Sequence, residues 1–247
     1  MIVQKFGGIA MQSEEMRINS MNHIKRGIEQ FGKIVVVVSA IGRLGAPYAT
    51  DSLLNLSEAF KFDKEASDLV ASCGELIAAS VLSAELKQFG IPNKILHGKQ
   101  AGIATSGKFG DADISTIDTT SIHNFLKSVD CIIIPGFQGM DRDGNVMTLG
   151  RGGSDLTAVA LADALSASHV EFFKDVPGVL TGDPNIVQNY TKYDTLTIDE
   201  FILLLNSDNA IIQKRAALCA KKTAMPLYIR GIAGTEPGTW ISIESNT

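Results

Sequence analysis

Short runs of Ile and Val alternate along this chain with longer stretches in which apolar residues recur every three or four positions. A continuous apolar run suits a strand buried on both faces, and the 3.6-residue period suits a helix laid against it. The pattern predicts strands near 1–6, 34–39, 94–97, 131–135, 169–174, 226–231 and 239–243. Ile34-Val35-Val36-Val37-Val38 fits a central strand. Between the first two strands, Ile18, Met21, Ile24, Ile28 and Phe31 fall at helical spacing, Glu14-Glu15 favour a first turn and Gly32 supplies a stop. Residues 69–84 contain a single charge, Glu75, which predicts a largely buried helix ended by Gly90 and Pro92. Further helices are expected at 117–128, 154–167, 198–206 and 209–223. This alternation is the signature of an α/β fold, a mostly parallel sheet covered by helices. No linker, composition break or internal repeat divides the chain, so one compact unit, with room for two lobes, is expected.

Composition narrows the picture. The 247 residues allow one large α/β domain or two small ones. With 22 Lys+Arg against 27 Asp+Glu the net charge is −5, and no basic run offers a field for nucleic acid or an anionic membrane. Apolar runs such as 34–38 and 131–134 fall far short of the roughly 20 residues of a membrane span. Lys5 and Gly7-Gly8 interrupt any signal-peptide pattern at the N-terminus. Cys73, Cys131 and Cys219 are odd in number, widely spaced and without a Cys-x-x-Cys pair, which points to a reduced cytoplasm and to neither disulfides nor zinc. The expected class is a soluble cytoplasmic protein with no nucleic-acid or membrane partner.

Four segments have the makings of a ligand site. Lys5-Phe6-Gly7-Gly8 ends the first strand: two glycines let backbone approach a ligand and the lysine can neutralise phosphate oxygens, although an ordinary strand-to-helix turn reads the same way. Thr148-Leu149-Gly150-Arg151-Gly152-Gly153-Ser154-Asp155 runs into an apolar helix. With Ser154 or Asp155 as N-cap, its first amides could bind an anion, and Arg151 could grip a carboxylate or phosphate bidentately. Glu75 within its apolar helix must be paired or face a cavity, since an unpaired buried charge is costly, and it shares a small, polar face with Ser72 and Ala79. The fourth segment, residues 174–184, is an acidic, Gly- and Pro-punctuated stretch after a strand, where open α/β sheets place ligands; a hairpin-like surface turn is the alternative.

Other motifs fail. Gly102-Ile103-Ala104-Thr105-Ser106-Gly107-Lys108-Phe109 has Walker A spacing up to its lysine, but Phe109 stands where a magnesium-binding hydroxyl is needed and no clear helix follows. The histidines His23, His97, His123 and His169 are scattered without metal-ligand spacing.

Taken in order, Lys5-Phe6-Gly7-Gly8, Val36-Val37-Val38-Ser39-Ala40-Ile41-Gly42 with Tyr48-Ala49-Thr50-Asp51-Ser52-Leu53-Leu54, Ser72-Cys73-Gly74-Glu75, Gln100-Ala101-Gly102-Ile103, Gly136-Phe137-Gln138-Gly139 and the block at 149–155 resemble the aspartate kinases of the amino-acid kinase superfamily. The resemblance runs from residue 2 to about 241. It implies a three-layer αβα sandwich with a mainly parallel, eight-stranded sheet, an amino-acid-binding lobe at about 1–150 and a nucleotide-binding lobe at about 151–247. It implies ATP- and Mg2+-dependent phosphorylation of the β-carboxylate of L-aspartate, the first step toward lysine, threonine and methionine, in a homodimer. By the family's pattern Lys5 and Asp155 are catalytic, Glu75 pairs with the substrate ammonium and Arg151 with a carboxylate. Thr50, Phe137 and Ser154 shape that pocket. Gly7, Gly8, Ser39, Lys174, Asp175, Val176, Leu180 and Asp183 serve the nucleotide, and no protein metal ligand is assigned.

The sequence departs from the pattern at Ile9-Ala10-Met11, where hydroxyl residues are usual, at Asn185 in place of an arginine, and at Asn209-Ala210-Ile211, where a lysine is expected near ATP. Lys214 and Arg215 are the candidate substitutes. These changes keep two alternatives open: a kinase of another amino acid or carboxylate, and a weakly active or inactive paralogue that binds a ligand or partner. Paired regulatory ACT modules usually follow such a kinase domain, and the expectation is that this chain holds none, hence no intrinsic feedback inhibition by lysine or threonine.

Overall fold

A computed structural model describes residues 1–182, 189–205 and 210–243. In chain order the elements are β1 (Ile2–Phe6), α1 (Gly8–Gln12), α2 (Glu14–Phe31), β2 (Ile34–Val38), α3 (Thr50–Leu54), α4 (Lys64–Gln88), β3 (Asn93–Ile95), β4 (Ile103–Lys108), β5 (Asp111–Ile117), α5 (Thr120–Phe125), β6 (Cys131–Pro135), β7 (Gln138–Met140), β8 (Val146–Thr148), α6 (Gly153–Ala164), β9 (Val170–Lys174), β10 (Thr195–Thr197), α7 (Ile198–Leu204), α8 (Lys214–Thr223), β11 (Leu227–Gly231) and β12 (Thr239–Ser242).

Eight strands form the main sheet in the order β10-β12-β11-β9-β1-β2-β6-β3, parallel throughout except for β11 against β12. Alternation within β2 explains the unbroken apolar run. Val35 and Val37 point into a core closed by Ala158, Val159, Leu161 and Ala162 of α6 and by Ala216, Ala217 and Ala220 of α8. Ile34, Val36 and Val38 point into the opposite core, with Ile24 of α2 and Ala78, Ala79, Leu82 and Leu86 of α4. Two apolar faces on one sheet require a helical layer on each, so the αβα sandwich follows.

Local signals set the helix ends. Ser13 caps α2 by accepting from Met16 N, and Gly32, at φ 77°, stops it. Asp63 caps α4 in the same way. That helix is long and apolar enough to cross a membrane, yet half of its apolar window is packed inside the fold, with Asp68, Ser72 and Glu75 on the inward side.

Several expectations need correction. The main sheet has the eight strands the resemblance implies, but the position of the eighth, β10, and a separate four-stranded sheet, β5-β4-β7-β8, were not anticipated. Three of these strands have only three residues, and the β4–β5 hairpin carries polar residues on exposed positions, so neither shows an apolar period. The expected helix 117–128 is shorter, α5 at Thr120–Phe125, and Ile117 ends the β4–β5 hairpin, which is also what the false Walker A stretch forms. The expected helix 209–223 begins only at Lys214. The first helical residue after the glycine block is Gly153, with Gly152 as N-cap, so Ser154 and Asp155 lie inside the first turn.

Candidate active site

Reversal of strand order at β1, with β2 on one side and β9 on the other, makes the carboxyl ends of these strands a topological switch point, the place where open α/β sheets leave a crevice. A cleft of about 440 Å³ lies there. Its floor is Lys5 from the end of β1, Ser39 and Ala40 after β2, and Phe137 after β6; its walls are the start of α6, the segment 42–54, and Asp68, Ala71 and Glu75 of α4. Nine residues named from the sequence, Lys5, Gly8, Ser39, Thr50, Glu75, Phe137, Arg151, Ser154 and Asp155, therefore share one cavity.

At the floor, Lys5 Nζ stands 2.6 Å from Asp155 Oδ1, and Lys174 Nζ 3.9 Å from Asp155 Oδ2. Gln213 N donates to the same Oδ2 at 3.4 Å. Burial by itself would raise the Asp155 pKa, but the charges of Lys174 and Lys5 hold the carboxyl below its usual range. Burial pushes Lys174 down to about 8, Lys5 adds repulsion and Asp155 opposes both. Two ammonium groups around one carboxylate leave an excess positive charge at the cleft floor, which a phosphoryl group would neutralise.

Glu75 is 2% exposed. Its Oε1 accepts from Ala40 N at 3.0 Å, while Oε2 is buried without a partner among the described residues. Desolvation drives its pKa up to about 8, against the lowering effects of the Ala40 amide and Lys5. A buried carboxylate oxygen left open at a cavity wall is a receptor for a cation. Arg151, exposed at the cleft edge, makes no ion pair among the described residues, so its fork of donors is available to an anion.

Backbone geometry shapes the rest. A Cβ on Gly8 would lie 2.1 Å from Gly42 O and 2.9 Å from Ala40 O, so only glycine lets these turns touch. Gly152, at φ 74°, packs so closely on Gln213 that a Cβ would meet its Cγ at 1.8 Å. Phe137 holds φ 73°, a left-handed conformation that strains a non-glycine residue; its N–H donates to Thr157 Oγ1 and its carbonyl accepts from Leu149 N.

The nucleotide residues are more dispersed. Gly7 lies beside Lys5, with Nζ 3.5 Å from where its Cβ would be. Asp175 is exposed and pairs at 3.3 Å with Arg43, a cleft-lining cation that sequence reasoning passed over. Val176 and Leu180 do not line the cleft, and Leu180 instead bridges to Lys192 in an antiparallel, hairpin-like arrangement. Asp183, Asn185 and Asn209 lie outside the described residues. Arg215 cannot stand in for the lysine expected at 211, because it binds Leu149 O, Ala112 O, Asp111 and Asp113 as a brace beneath the glycine loop. Ile211 itself packs against the core. Asp68 was also missed, although its place two helical turns before Glu75 puts it on the same inward face. His23 and His169 are buried structural residues, and His97 and His123 are exposed away from the cleft.

The sequence from Met1 onward matches the amino acid kinase family over residues 1–231. The chain belongs to that family. It is 37% identical over 243 residues to aspartokinase 1 and 39% identical over 248 residues to aspartokinase 2, both of Bacillus subtilis, covering 98% and 100% of this chain. The chain spans about 60% of the length of either relative. Its fold superimposes on the aspartate kinase of Synechocystis with a TM-score of 0.84 at 32% identity, over 98% of this chain and 40% of that one. The crystal structure of E. coli aspartokinase III in complex with aspartate and ADP gives 0.83 at 21% identity, covering 100% of this chain and 65% of that one, a likeness of fold.

Proposed function

We propose that this chain catalyses ATP-dependent phosphorylation of the β-carboxylate of L-aspartate. The observation that carries the reading is the pairing, in one cleft, of a buried carboxylate, Glu75, and a guanidinium, Arg151, above the Lys5–Asp155–Lys174 cluster; among the described residues Glu75 Oε2 has no hydrogen-bond partner and Arg151 no ion pair. An amino acid offers an ammonium to the first and a carboxylate to the second. The names of the relatives, aspartokinases over nearly the whole of this chain, support the same substrate.

The chemistry needs charge and position more than a base. Aspartate's side-chain carboxylate, with an ordinary pKa of about 3.9, is ionised at neutral pH and attacks the γ-phosphorus without losing a proton. The bond to the ADP oxygen breaks as the acyl-phosphate bond forms. Lys5 and Lys174 neutralise the transferring group, and Asp155 keeps two mutually repelling ammonium groups at that point. Gly7, Gly8, Ser39 and the glycines before α6 allow backbone amides to approach phosphate oxygens. Thr50, Phe137 and Ser154 border the amino acid. Asp175, Val176, Leu180 and, by the family's pattern, Asp183 are assigned to the nucleotide, as part of a division into an amino-acid lobe at about 1–150 and a nucleotide lobe at about 151–247. No group of three or more His, Cys, Asp or Glu that could hold a metal occurs among the described residues, so magnesium would enter on the nucleotide, where it offsets phosphate charge. A homodimer belongs to the same proposal.

Incubation with MgATP, L-aspartate and hydroxylamine tests the reading, because hydroxylamine traps the acyl phosphate as a hydroxamate. Product with aspartate is the expected result. Product with another carboxylate only, or none at all, would overturn it.

A further inference from the structure

Asp68 is 2% exposed and none of the roles above uses it. It lies on α4 two turns before Glu75, and both of its oxygens are engaged. Oδ2 accepts from Thr148 N at 2.7 Å and from Gly110 N at 2.9 Å, and Oδ1 accepts from Thr148 Oγ1 at 2.9 Å. These donors come from two different segments. Thr148 is the last residue of β8 and feeds directly into Leu149-Gly150-Arg151; Gly110 is the turn of the β4–β5 hairpin. The two segments also touch each other, since a Cβ on Gly150 would lie 3.1 Å from Gly110 O.

A buried aspartate that accepts three hydrogen bonds from segments distant in sequence is a tether, and its charge strengthens each bond. We infer that Asp68 is a positioning residue that sets the span between Glu75 and Arg151, and thereby the length of amino acid the cleft accepts. Glu75 is fixed to α4 by the helix itself, whereas Arg151 lies between Gly150 and Gly152, outside any helix or strand, in a loop that Arg215 of α8 braces at Leu149 O. Among the described residues, the hydrogen bonds of Asp68 to Thr148 and Gly110 refer that loop to the helix that carries Glu75. The inference rests on the aspartate kinase reading for its substrate, and on the hydrogen bonds alone for the tether.

Asp68→Asn keeps the shape but removes the charge, so the bonds from Thr148 N and Gly110 N to its amide oxygen lose their charge assistance and its N–H2 faces Thr148 Oγ1, and Thr148→Val removes only the hydroxyl bond. Loss of charged hydrogen bonds on this scale predicts that Asp68→Asn raises the L-aspartate KM by at least about tenfold, with the ATP KM unchanged within about twofold. The aspartate-over-glutamate ratio of kcat/KM should fall with it, and Thr148→Val should move both in the same direction by less. Amide exchange at Gly110 and Thr148 should accelerate in Asp68→Asn whether or not aspartate is the substrate. Equal increases in both KM values, an unchanged specificity ratio with only lower stability, or unchanged exchange at these amides would each overturn the positioning role. If the wild-type chain turns over no aspartate, the functional reading falls and the exchange measurement alone decides the tether.

Discussion

Glu75 offers the most demanding test, because its burial has a measurable consequence before any substrate is added. Its pKa rises from the ordinary 4.5 to about 8, chiefly through desolvation. The folded state thus holds a proton that the unfolded chain releases at lower pH. Stability tied to this proton is fully present below about pH 4.5 and is lost as pH climbs through about 8. At about 1.4 kcal/mol for each tenfold change in proton affinity, the displacement corresponds to about 5 kcal/mol across that window. Glu75→Gln cannot titrate, so its stability curve should lack this descent, and the difference between variant and wild type isolates Glu75 from Lys174, which changes charge near the top of the same range. Denaturant unfolding from pH 5 to 8.5, without amino acid, measures it. Binding should reverse the effect: an ammonium against Oε2 favours the ionised carboxylate, so aspartate binding at pH 6.5 should release about one proton, read by calorimetry in buffers of different ionisation enthalpy. Parallel pH profiles for wild type and Glu75→Gln, together with no proton release, would refute the reasoning.

Asp155→Asn leaves two buried ammonium groups without their counter-charge and should cut kcat by about 10³-fold while perturbing the aspartate KM little, in the range seen when one transition-state electrostatic partner is removed; steady-state kinetics decide it. Arg151→Ala should raise the aspartate KM far more than the ATP KM, and equal effects would contradict its placement against the amino acid. Gly8→Ala forces a methyl against two carbonyl oxygens and should destabilise the chain by about 1–3 kcal/mol in denaturant unfolding, with loss of turnover. If it unfolds like wild type, the close approach of the two turns is not rigid.

The central strands and long helices were legible because their signals are local. β2 announces itself by five consecutive apolar residues, α2 by its period and its Ser13 and Gly32 ends, and α4 by a long run with one charge. The small sheet was not legible, since three-residue strands such as β7 and β8 carry no period and are held by pairing partners remote in sequence. Within the site, Lys5, Glu75, Arg151 and Asp155 stood out by residue type in unusual surroundings. Arg43 and Asp68 did not, because an arginine in a loop and an aspartate in a helix are unremarkable until their partners, Asp175, Gly110 and Thr148, are known.

The sequence by itself determined the class of fold and the chemistry available, since apolar periodicity dictates which faces must be buried and glycines beside cations mark where a backbone can meet an anion. The tertiary structure alone decided which of those groups act together. Lys5 and Asp155 are separated by most of the chain, and only the neighbouring positions of β1 and α6 across the sheet bring their charges to 2.6 Å, in a place dry enough for that contact to hold.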